Sequence, residues 1–206
     1  MVLFLLLSVP IWLLLVASFY NTRDWAGILK FFLGGLCIGM VALLITLGLL
    51  TRAPFRMDYF GFFWWAWTQG SGLPMLLTIP IIFIVCIRNP SPYSRILEIA
   101  ACLSGVAVLY NIWYGVTRNP GFHVYRIFLS PIIWIGTIGL TAWLLDRGLY
   151  RDGVSRYRFF AASILLPFVV NLLPLIYVNN LHYLAWIVSV TFVIVANFLV
   201  FLDSRG

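Results

Sequence analysis

Ile28-Leu29-Lys30-Phe31-Phe32-Leu33-Gly34-Gly35-Leu36-Cys37-Ile38-Gly39-Met40-Val41-Ala42-Leu43-Leu44-Ile45-Thr46-Leu47-Gly48-Leu49-Leu50 is a run of 23 residues with one charge, Lys30, near its start. As a helix rising 1.5 Å per residue it covers roughly 35 Å, enough to cross a hydrocarbon layer of about 30 Å. The run is apolar throughout and does not alternate, so it is not a lipid-facing strand of a barrel. Without water, each backbone N–H and C=O must pair inside the protein, and a continuous apolar run meets that demand as a helix.

Comparable stretches recur at 2–20, 73–87, 96–116, 127–149, 159–178 and 183–202. The fold class read from them is all-α: a polytopic transmembrane helical bundle of about seven spans, or six if 73–87 does not cross. Residues 1–206 form a single integral membrane domain on this reading. Composition agrees, with 63% hydrophobic and 9% charged residues and a mean hydropathy of +1.04. A water-soluble domain needs far more charge to cover its surface. The start, Met1-Val2-Leu3-Phe4, has neither a basic n-region nor a small-residue cleavage site. It is expected to be a retained first span. Neither end carries a lipidation motif.

The shortest stretch, 73–87, is interrupted by Pro80 and follows an aromatic segment, Met57 to Thr68, that packs Tyr59, Phe60, Phe62, Phe63, Trp64, Trp65 and Trp67 together. Aromatic rings favour the headgroup zone, where an apolar body and a polar tip are both satisfied. Gly70-Ser71-Gly72 then breaks the chain. Residues 57–87 read either as an interfacial helix followed by a short span or as one discontinuous span, the kind that lines binding sites in some transporters.

The net charge of +7 rests on twelve arginines and Lys30, set singly or in pairs between apolar runs. Nucleic-acid binding needs clustered charge on a folded polar face, so it is not expected; the lipid bilayer is the expected partner of these arginines. With seven spans and the N-terminus outside, nine basic residues fall on the cytoplasmic side against four outside, and a six-span alternative with the N-terminus inside gives the same split. Both place loop 147–158 and the C-terminus in the cytoplasm, and loops 117–126 and 179–182 outside. The localisation read is integral membrane, multi-pass.

Few residues offer chemistry. Glu98 alone among the acids enters a span, near a helix N-terminus and three residues after Arg95. An ionisable group at membrane depth is a functional candidate by default, while a surface pair with Arg95 and the helix dipole account for it structurally. Asp58, His123 and His182 are the other catalytic candidates, expected together at the outer face in the seven-span arrangement. Their spacing matches no metal motif, so neither a metal nor a cofactor is expected. Cys37, Cys86 and Cys102 lie in apolar runs and read as packing residues. Ser104-Gly105 has no histidine or lysine base at suitable depth, which removes a serine nucleophile.

Neutral polar groups inside the spans are more informative. Tyr110, Asn111 and Tyr114 sit in one span, Asn171 lies between Pro167 and Pro174, and Asn197 is in the last. A buried amide has up to four hydrogen bonds to make, with other helices or with a ligand. Tyr110, Asn111, Tyr114 and Asn171 are the ligand-binding candidates. Gly35-x-x-x-Gly39 marks a face for close helix contact, a candidate seam for other membrane subunits, and Gly136 and Gly139 are a second close-packing face. Three functions follow from this inventory. The first is binding or transport of a neutral or lipophilic small molecule within the bundle. The second is a non-catalytic subunit of a larger membrane complex. The third is an intramembrane enzyme acting on a lipid or isoprenoid, with Asp58, Glu98, His123 or His182 at the two interfaces as acid and base.

Overall fold

A computed structural model describes residues 2–22, 24–52, 60, 61, 64, 67, 72–88, 95–116, 128–147, 161, 165–170 and 172–203. Every regular element among them is helical: α1 (Val2–Phe19), α2 (Trp25–Arg52), α3 (Gly72–Arg88), α4 (Arg95–Val116), α5 (Ser130–Asp146), α6 (Leu166–Val170), α7 (Leu172–Val178) and α8 (His182–Asp203). Three helical stretches, Trp25–Leu49, Arg95–Trp113 and His182–Leu202, are long and apolar enough to cross a membrane. The chain is an all-α transmembrane bundle.

Local chemistry sets the helix ends. Asn21 takes the left-handed conformation, with φ 47°, and turns the chain between α1 and α2. A short polar side chain tolerates that region where bulky residues do not. Asp24 then caps α2, its Oδ1 accepting the Gly27 N–H at 2.8 Å. Asn180, φ 63°, makes the corresponding turn between α7 and α8. The short stretch 73–87 lies within one continuous helix, α3, which runs through Pro80. Of the aromatic segment, Phe60, Gly61, Trp64 and Trp67 are described and helical. Phe60 and Trp64 are exposed, and the Trp64 and Trp67 rings stack at 5.4 Å.

The contacts between helices fix their directions. Gly35 lies against the Cys102 carbonyl, Gly39 against Val106, and Thr46 meets Tyr110, so α2 and α4 run parallel. Gly136 meets Phe192 and Val193, while Gly139 meets Ala196 and Val200, so α5 and α8 are parallel as well. α1 runs with them: Trp12 bonds Asn197, Tyr20 bonds the Val200 carbonyl and Phe4 packs on Phe128. α4 opposes this set, since Asn111 meets Ser130 and Tyr110 meets Trp134. The bundle is thus two helices one way and three the other, with α3 and the α6–α7 pair packed beside them.

α4 is the centre. Of its apolar stretch 78% is buried, against 22% for α2 and 22% for α8. Its Ala100, Ala101, Cys102, Gly105 and Ala107 keep the helix thin enough for α1, α2, α3 and α5 to pack around it. The polarity of the bundle is reversed from that of an aqueous protein. On α8 the exposed face carries Tyr183, Ile187, Ile194, Phe198 and Leu202, while Ala185, Ser189 and Ala196 face inward. Apolar surface of that extent facing outward calls for a lipid solvent. Three inward hydroxyls close on their own helices: Thr78 on Pro74, Thr137 on Ile133 and Ser189 on Ala185, while those of Ser104 and Thr141 make no bond.

The Gly35–Gly39 face, expected as a seam for another subunit, is occupied within the chain by α4. A Cβ on Gly35 would fall on the Cys102 carbonyl, and one on Gly105 on the Phe32 carbonyl, so backbone meets backbone. A thin face announces close contact without naming the helix that makes it. Gly34, one residue away, has nothing within 4 Å. Gly35→Ala and Gly105→Ala should each cost about 1–3 kcal/mol or more, because neither backbone can yield. Gly34→Ala should change stability by no more than about 0.5 kcal/mol. Unfolding of the detergent-solubilised protein by heat or SDS reads the difference, and equal effects at all three sites would contradict the packing.

Candidate functional site

α4 carries two adjacent residues whose side chains are both fully buried and both polar, Tyr110 and Asn111. Successive helix positions differ by about 100°, so the two leave α4 toward different neighbours. Tyr110 reaches α2, its hydroxyl 2.9 Å from Thr46 Oγ1. The Thr46 hydroxyl donates to the Ala42 carbonyl at 2.9 Å. A hydroxyl has one hydrogen to give, so Tyr110 is the donor to Thr46. The Tyr110 ring also tilts against Trp134 at 6.1 Å.

Asn111 turns toward α5. Ser130 Oγ donates to its Oδ1 at 3.4 Å, longer than an ordinary O–H···O bond. The Asn111 amino group has no partner. An unmade bond on a buried polar group costs about 1–3 kcal/mol, so this end of α4 keeps an unspent pair of donors in an apolar setting. The setting itself is a boundary. Tyr110, Trp134 and Ile138 belong to the main apolar cluster. Leu129, Ile133, Val170 and Leu173 form a second one, with Trp113 packed against it. Asn111 and Ser130 stand where the two meet.

Asn197 shows the contrast. It accepts from Trp12 Nε1 and donates to the Val193 carbonyl at 2.8 Å, so its amide ties α1 to α8 and is spent. Two in-span asparagines therefore have different fates.

Of the expected ligand residues, the structure brings Tyr110 and Asn111 together with Thr46, Ser130 and Trp134. Tyr114 lies on α4, with its side chain outside the described residues, as is the whole of Asn171 between α6 and α7. Asp58 and His123 also lie outside the described residues. Glu98 is half-buried in the first turn of α4. His182 is exposed at the start of α8, its ring 4.3 Å from that of Tyr177. Because α4 and α8 point opposite ways, Glu98 and His182 occupy opposite ends of the bundle and cannot act on one substrate atom. No group of three His, Cys, Asp or Glu side chains that could hold a metal ion exists among the described residues.

Thr46, Ser130 and Trp134 were not among the candidates read from sequence. Thr46 had a signal: it continues the Gly35, Gly39, Ala42 face by one more turn. Ser130 is the first residue of α5, followed by Pro131, whose missing N–H suits a first turn. That pairing explains a helix start and gives no hint of Asn111.

No described protein family, no curated protein and no solved structure matches the chain.

Tyr110→Phe should lower stability by about 0.5–1.5 kcal/mol, since Thr46 keeps its bond to Ala42. A double-mutant cycle with Thr46→Val should return a coupling energy of about 0.6 kcal/mol, a usual value for interhelical bonds in lipid. Additive single effects would mean that the Tyr110–Thr46 contact contributes nothing.

Proposed function

We propose that this bundle binds or transports a neutral or lipophilic small molecule at the Asn111–Ser130 seam. The observation that carries the reading is the buried Asn111 carboxamide, which makes one long contact and leaves its amino group unpaired between two apolar clusters. A carboxamide kept only to join helices would be paired as Asn197 is. An apolar molecule with one polar atom suits such a place: hydrophobic walls and a few placed polar groups are the usual make-up of small-molecule sites. The subunit reading loses its best support, because the Gly35–Gly39 face is filled by α4. The enzyme reading keeps Glu98 and His182 at opposite ends, with Asp58 and His123 outside the described residues.

The seam has a depth and a side on the same reading. Seven spans, with the N-terminus outside and both loop 147–158 and the C-terminus cytoplasmic, agree with the helix directions. If 73–87 did not cross, α2 and α4 would be successive crossings and would run antiparallel; their glycine contacts make them parallel. Likewise α5 and α8 run parallel, which supports a crossing by α6–α7 between them. Asn111 lies five residues before the end of α4 and Ser130 opens α5. With the N-terminus outside, the seam lies in the outer half of the membrane.

Two measurements test these statements. Native mass spectrometry of the chain released from nanodiscs should show a retained small molecule, lost in Asn111→Leu and kept in Asn197→Leu. A wild-type chain that carries no adduct, or an Asn111→Leu chain that keeps it, overturns the ligand reading. For topology, with Cys37, Cys86 and Cys102 replaced, an impermeant maleimide should label Leu181→Cys on intact cells. It should reach Ser204→Cys only after permeabilisation. An N-terminal tag should be accessible from the Leu181 side, and finding both termini on one side would exclude seven spans.

A further inference from the structure

The hydrogens at the seam can be assigned one by one, and the assignment says what kind of atom the ligand must bring. Thr46 spends its hydroxyl hydrogen on the Ala42 carbonyl, Tyr110 spends its own on Thr46, and Ser130 spends its own on Asn111 Oδ1. The Asn111 amino group keeps both of its hydrogens. The seam as assembled from these four residues thus offers donors to a ligand and asks for an acceptor. Resting on the ligand-binding reading above, we infer that the ligand presents a carbonyl oxygen, of the ketone, quinone or ester type on an apolar body, to the Asn111 amino group.

A carbonyl fits for three reasons. It accepts and donates none, so it takes an amino hydrogen without bringing a hydrogen of its own that needs an acceptor. An alcohol in the same position brings a hydrogen of its own that must find an acceptor in a dry setting, and an unmade bond there is costly. A carboxylate brings a charge, which is expensive at membrane depth beside neutral groups alone. The apolar body would lie along the boundary between Trp134 and Ile138 on one side and Leu129, Ile133 and Val170 on the other.

The test uses three probes of one length, 2-tridecanone, 2-tridecanol and tridecane, added to the full chain in nanodiscs. Retention is measured by native mass spectrometry, and the carbonyl stretch of 13C-labelled tridecanone by infrared difference spectroscopy. The ketone should be retained about tenfold over the hydrocarbon. Its carbonyl band should move to lower frequency than in empty nanodiscs. Both signals should vanish in Asn111→Leu and survive in Ser130→Ala, where the amino group is untouched. An unshifted carbonyl band in the wild-type chain overturns the inference, whatever the variants do. Equal retention of ketone, alcohol and hydrocarbon overturns it too, while leaving a lipophilic site in place. Retention of none of the three, by a chain that also carries no endogenous adduct, removes the ligand reading itself.

Discussion

Everything else in this bundle hangs on the crossing of α2 and α4, where the Gly35 and Gly105 backbones touch and no side chain intervenes. Two consequences follow from so close an approach. Dispersion and Cα–H···O contacts between backbones replace the hydrophobic drive that lipid does not supply. The contact also locks register, since α4 can slide neither up nor down without driving a Cβ into a carbonyl. Register in turn brings Thr46 level with Tyr110, and through Tyr110 it orients Asn111 toward α5.

The same crossing makes two helices separated by α3 run side by side in one direction. α3 lies between the two in the chain and packs against both. The buried centre of the bundle is accordingly not its most apolar helix but its thinnest. α4 combines small residues with Ser104, Asn111 and Glu98, while α2 and α8 turn Leu29, Leu33, Leu44, Ile187, Ile194 and Phe198 outward. In lipid, outward apolar groups are no less solvated than inward ones, so packing and hydrogen bonding decide the interior.

The polar groups sort into two kinds once the interior is seen. Thr78, Thr137 and Ser189 fold back on their own helices, and Asn197 bridges α1 and α8. All four are self-sufficient. Asn111 is of the other kind, with Ser8, Ser104 and Thr141: each has a buried side-chain polar atom without a partner, and Asn111 stands between two apolar clusters. Unsatisfied groups persist in native structures where something other than stability retains them, which is why the functional reading centres there.

The residues alone determined the solvent and the secondary structure. Continuous apolar runs of about twenty residues admit one backbone solution in a bilayer, and the run at 28–50 is enough to choose it. They also marked Tyr110, Asn111 and the thin Gly35–Gly39 face as places where something must happen. Partners were decided by tertiary structure. No local pattern says that the glycine face receives α4 and not another chain, that Asn197 is paired while Asn111 is not, or that α3 with Pro80 stays one helix. The fates of the glycine face and of the two asparagines depend on which helix lies beside which, through contacts as far apart in the chain as Thr46 with Tyr110 and Trp12 with Asn197. Helix periodicity is a property of neighbours along the chain; adjacency across the bundle comes from close-packing of surfaces that no short window contains.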